Sequence, residues 1–221
     1  MSPIALTPDQ QGALWRQRMF EAHSAMTAYL IEQHRPEDLA DWVQVTEKIY
    51  HDLPSPQVGD STQWQAVFFR AQALIEQFIV QRAGVYDLDD WATATGQVYR
   101  ALEPAGQGDP QVAAERLGRQ ASLYGTRFDI QALSAKGALF KVHHCGIWDY
   151  RERARARGVP ITLKSACTYC TKLLSSLVQA KGCNARWELF SDPQDHGCEW
   201  TITPDSLNST LTGRLEHERD Y

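Results

Sequence analysis

No apolar run in the 221-residue sequence approaches the roughly 18 residues that a membrane-crossing helix needs, so no spanning segment is expected. The opening stretch, Met1 to Pro8, has no basic segment ahead of a long apolar core, and no secretory leader is read there. Basic charge is short as well: 22 Lys+Arg stand against 27 Asp+Glu, for a net charge of -5. Nucleic acid selects a basic excess or a concentrated basic face, and that class of partner is set aside. Cysteine is sparse and odd in number, five in all. A chain long enough to bury a real core does not need a disulfide scaffold. Also missing are a phosphate-cradling glycine loop, a nucleophile elbow and a His-Glu-x-x-His helix. The expectation is a cytoplasmic chain with reduced thiols, whose partner is a small-molecule substrate, with no nucleic acid, no membrane, and homo-oligomer formation left open.

What is present is ordinary globular composition, 43% hydrophobic and 22% charged, and a first half that reads as helix after helix. Thr7 caps the first, with Pro8 at its first position and Gln10 three residues after the cap. Leu14, Met19, Phe20, Met26, Tyr29 and Leu30 then recur at helical intervals. Pro36 opens a second helix that runs to Tyr50, and Pro54 and Pro56 end it. Residues 61–82 carry Trp64, Phe68, Ala71, Leu74, Ile75 and Phe78 on one stripe. Residues 88–102 form a fourth helix behind Asp87 as cap. Trp15, Trp42, Trp64 and Trp91 are core anchors, since no basic stripe accompanies them.

Pro104-Ala105-Gly106-Gln107-Gly108-Asp109-Pro110 is the strongest break in the chain. After one more helix, to about residue 124, the period changes. Residues 128–133 and 138–144 read as a strand pair around Ala135-Lys136-Gly137, and residues 186–190 and 198–202 as a second pair. Helices over 148–157 and 165–180 lie between them. The fold class is therefore α+β, a helical N-terminal half packed on a small antiparallel sheet domain of order β-β-α-α-β-β. The expected division is a helical region 1–103, a cysteine-bearing α+β region 110–203 and a polar tail 204–221. One core spanning the first two regions is equally compatible.

All five cysteines fall in the second half. Cys145 ends a strand directly after His143 and His144; Cys167 and Cys170 share a helix face; Cys198 starts the last strand after Asp195-His196-Gly197. Cys183, following Gly182 in a helix-ending turn, is the bystander. Taken singly, each cysteine also suits the part of a small buried hydrophobe. Two chemistries compete for the cluster. In one, Cys145 is a nucleophile at a helix start, with His143, Asp195 or His196 handling protons. In the other, Cys145, Cys167, Cys170 and Cys198 hold zinc or iron. Arg151, Arg153, Arg155 and Arg157 spread around a short helix and read as a solvated surface.

The order of Cys145 at a strand end, Cys170 on an amphipathic helix and Asp195-His196-Gly197-Cys198-Glu199-Trp200 at a strand entrance resembles the L-2-amino-thiazoline-4-carboxylic acid hydrolase family. That family is in turn similar to 4-vinyl-reductase-like small-molecule-binding domains. The resemblance implies hydrolysis of a cyclic amidine or thiazoline C–N bond in a small carboxylate, without a cofactor. It implies Cys145, His144, Cys170 and Asp195 as catalytic residues, with Arg151, Cys198, His196 and Trp148 binding the substrate. The rival reading is a non-catalytic sensor module that holds a small molecule or a metal on the same scaffold.

Overall fold

A computed structural model describes residues 5–55, 61–134, 137–159, 161–191 and 196–205. The chain forms an α+β fold that divides into two compact units, each assembled from separate stretches of sequence. The first takes Ala5–Leu102 together with Ile147–Leu173. The second takes the described residues of Glu103–Gly146 and Leu174–Tyr221.

In the first unit, helix α1 (Pro8–Glu32) starts where local chemistry fixes it. The Thr7 hydroxyl accepts the Gln10 N–H, and the Gln10 side chain accepts the Thr7 N–H at 2.9 Å, so two of the helix's orphan donors are satisfied reciprocally. Its buried stripe carries Trp15, Met19, Met26, Tyr29 and Leu30. Helices α2 (Leu39–Tyr50), α3 (Ser61–Arg82) and α4 (Leu88–Leu102) complete the bundle. Asp87 stands directly before α4. It ends a 3-10 turn, Val85–Asp87, and accepts the Tyr29 hydroxyl at 2.6 Å.

Two later helices belong partly or wholly to this unit. Helix α6 (Gly146–Ala156) supplies Tyr150, whose ring stacks on Phe69 at 3.5 Å. The start of helix α7 (Cys167–Ala180) supplies Tyr169, stacked on Trp91 at 3.9 Å. The same unit holds a buried ion pair. Glu76, on the apolar stripe of α3 and only 4% exposed, receives Arg151 through both guanidinium ends at 2.8 and 3.2 Å. The Leu163 N–H donates to the same carboxylate at 2.9 Å, and the Leu163 carbonyl accepts from Arg151 at 2.6 Å.

The second unit is a four-stranded antiparallel sheet with helix α5 (Pro110–Leu123) on one face. Its strands are β1 (Arg127–Ser134), β2 (Gly137–His144), β3 (Cys183–Ser191) and β4 (His196–Pro204), in the order β1-β2-β4-β3. Each sequence-adjacent pair is a hairpin, and the two hairpins join through β2 and β4. Alternation puts Phe128, Ile130, Phe140, Val142, Trp200 and Ile202 in the core. Gly118 of α5 lies directly over Phe128 and Ile130; a Cβ there would stand 2.8 Å from the Ile130 side chain. The outer face carries polar pairs instead, Lys141 in an ion pair with Glu199 at 3.0 Å and His143 hydrogen-bonded to Asp129 at 2.8 Å.

Gly182, with φ +74°, ends α7, and Cys183 is the first residue of β3 and not part of the turn. Burial, with Asp109 and Asp205 adding negative potential, pushes the Cys183 thiol up to about 11. A thiol held protonated does not attack alkylating agents. Iodoacetamide at mildly alkaline pH is therefore expected to modify Cys183 last, and labelling of Cys183 at the rate of the half-buried cysteines contradicts this placement. Removing one partner of the α3–α6 ion pair strands a buried charge. Glu76→Ala is expected to cost about 3–5 kcal/mol in urea denaturation, while Glu76→Leu combined with Arg151→Met recovers most of that loss.

Candidate functional site

Strands β2 and β4 carry the chemistry-bearing residues of the second unit. Cys198 lies opposite Val142 on β2 and opposite Leu189 on β3, so it belongs to the same face as the core. It is half-buried, and its sulfur accepts the Trp200 indole N–H at 3.2 Å. His144, two residues beyond Val142, shares that face and ends β2 half-buried. His143 points the other way, to Asp129 on the outer face, which separates it from Cys198.

Cys145 is the first residue after β2. Its N–H donates to the His196 carbonyl at 2.9 Å, extending the β2–β4 pairing by one bond. The next N–H, of Gly146, donates to the Thr126 hydroxyl at 3.1 Å. A Cβ on Gly146 would stand 2.1 Å from the Tyr124 carbonyl oxygen, so only glycine permits this exit from strand to helix. The thiol of Cys145 is half-buried at the start of α6, the end of a helix where backbone N–H groups favour negative charge.

Four predicted residues thus gather at one end of the sheet: His144, Cys145, His196 and Cys198. Trp148, Arg151, Cys167 and Cys170 belong to the other unit. Cys167 and Cys170 open α7 on one face, as their spacing implies, with the Cys167 N–H capped by the Ser165 hydroxyl at 3.1 Å. Asp195 lies outside the described residues. Arg151 does not hold a carboxylate from outside: its guanidinium is taken by Glu76 and the Leu163 carbonyl. Among the described residues no group of three or more His, Cys, Asp or Glu side chains is disposed to hold a metal ion.

Two open clefts lie elsewhere. One, of about 540 Å³, runs along residues 105–112 at the start of α5. The other, of about 440 Å³, is lined by Glu47, Lys48, His51, Asp52 and Arg70. Neither is lined by a residue proposed from the sequence as catalytic, substrate-binding or metal-holding. Sequence reasoning also passed over Glu76 and Thr126. A lone glutamate in the apolar phase of α3 was the available signal for the first; nothing local marks the second. No helix among the described residues is long and apolar enough to cross a membrane.

No family model matches the chain, and no curated protein does. Among solved structures, an oxygen-binding H-NOX domain related to soluble guanylate cyclases, in its oxygen complex, is similar over 82% of this chain and 93% of its own. The identity is 8% and the TM-score 0.45. An unliganded Fe(II) H-NOX protein from K. algicida is similar over 82% of this chain and 95% of its own, at 12% identity and a TM-score of 0.37. A single-residue variant of that protein gives 10% identity and the same TM-score, 0.37. Likeness at this level assigns neither iron nor oxygen to this chain. The resemblance built on Cys145, Cys170 and Cys198 is corrected here: no family model, of a thiazoline hydrolase or of a 4-vinyl-reductase-like domain, matches the chain, and the solved structures similar to it are H-NOX domains. The hydrolase activity, the cyclic-amidine substrate and the expectation of a cofactor-free enzyme fall with it, and the internal engagement of Arg151 removes the residue meant to hold the substrate carboxylate.

Proposed function

We propose that the chain is a non-catalytic module that binds a small, largely apolar molecule against the sheet face bearing His144, Leu189 and Cys198. The observation that supports this reading is apolar surface left open beside the core. Trp187 and Leu189 of β3 are 45% and 42% exposed, yet they stand in register with Trp200 and Cys198 on the face that elsewhere is buried. Covering apolar surface is worth about 25 cal/mol per Å², so an open stretch of this kind marks a surface with an occupant. Its surroundings suit recognition: an aromatic platform, a thiol fixed by an indole N–H, an imidazole at the strand end and Cys145 at the exit. A few placed polar groups in an apolar setting are the usual make-up of a ligand site.

The dye 1-anilinonaphthalene-8-sulfonate serves as probe. Fluorescence titration of the folded protein is expected to saturate at a single site, and Leu189→Glu to raise Kd about tenfold or more. Absence of saturable binding, or binding that Leu189→Glu leaves unchanged, removes this face from consideration. Iron and zinc content of protein purified without a histidine tag then tells whether the natural occupant carries a metal.

A further inference from the structure

Among the described residues the sheet has two edge strands, β1 and β3, and they differ. Edge strand β1 is irregular at both ends, with register shifts between Arg127 and Phe128 and between Ala132 and Ser134. Interruptions of that kind blunt an edge against further pairing. Edge strand β3 pairs with β4 through nine consecutive residues, Cys183 to Ser191, without a shift. It contains neither proline nor lysine, two further devices that protect an edge. Residues 186–190 are all exposed, among them Trp187, Leu189 and Phe190.

The charges of β3 define what this edge accepts. Arg186 and Glu188 flank Trp187 on the outer face of the sheet, opposite Thr201 and Glu199 of β4. Glu188 therefore faces a like charge within its own sheet, and Glu199 is itself engaged by Lys141 at 3.0 Å. We propose that β3 pairs edge to edge with β3 of a second copy of this chain, antiparallel about a two-fold axis at Trp187. In that register Arg186 stands directly opposite Glu188 of the partner subunit, and Glu188 opposite Arg186 of the partner subunit. Ala185 faces Leu189 of the partner subunit, small against large. Directly opposed side chains lie close enough for each such pair to contribute. Moving the axis by one residue sets Arg186 against its own copy, or Glu188 against its own copy, so the charges select one register.

An isologous contact of this kind closes on itself and stops at two copies. Backbone hydrogen bonds along the edge supply attraction, and the charge pairs supply register. Pairing runs in the plane of the sheet, so it leaves the apolar face bearing Leu189 and Cys198 open to a ligand, and it holds whether or not that face binds one.

Sedimentation equilibrium of the full chain over a series of concentrations tests this. The expected result is a monomer–dimer equilibrium whose Kd rises about tenfold in Arg186→Glu and in Glu188→Arg, and returns to near its original value when both changes are made together. Both positions are exposed, and recovery in the double variant shows that the single changes did not act by unfolding. A chain that stays monomeric throughout overturns the proposal. So does a dimer indifferent to Arg186→Glu, or one that the double variant fails to restore.

Discussion

A carboxylate inside an apolar helix stripe is the constraint around which the first unit is arranged. Glu76 is nearly inaccessible, and an ionised group there is tolerable only with a full set of partners. Arg151 and the Leu163 N–H supply them. That requirement draws α6 and the segment leading to α7 onto α3, although they lie 75 and 87 residues further along the chain. The stacked pair Phe69–Tyr150 likewise joins α6 to α3, and Trp91–Tyr169 joins α7 to α4. In a buried pair of this kind the attraction roughly balances the desolvation of both ions, so its main effect is on which arrangement is allowed.

The second unit has buried ion pairs of its own, Arg116 and Lys181 with Glu103 at 2.7 and 3.0 Å, and relies besides on close approach. Gly118 lets α5 descend onto Phe128 and Ile130, and Gly146 lets the chain pass the Tyr124 carbonyl as it leaves β2. On the outer face Phe190 covers Gly197, where a Cβ would meet the ring at 2.3 Å, and Lys141 stands 5.6 Å from the same ring. Glycine at these points gives up side-chain contacts of its own so that larger neighbours fit. The cysteines at the strand end are held by the backbone around them, above all by the bond from Cys145 N–H to the His196 carbonyl.

Much of this was legible in the sequence where the cause is local. The Thr7-Pro8-Gln10 start was readable because capping involves residues three apart, and α3 keeps the limits 61 and 82 that its apolar stripe suggests. The four strands followed from alternation, which marks Phe140 and Val142 as inward from their own neighbours. What stayed hidden depends on distant residues. Nothing near Arg151 announces Glu76, so a structural arginine was read as a ligand for a substrate. Nothing near β2 announces that β4, and not another strand, lies beside it. The hydrolase reading failed for a related reason: three cysteines in order along a chain constrain spacing, not chemistry.

The chain passes between its two units at residues 102–103, 146–147 and 173–174, and this interleaving bears on how the protein can be divided. No contiguous fragment consists of one unit alone. A piece ending near residue 102 keeps Glu76 but loses the arginine that neutralises it, and a piece beginning at residue 103 keeps the arginine and loses the glutamate. The bundle and the sheet are two compact units but not two gene segments: neither is inherited, expressed or exchanged without part of the other.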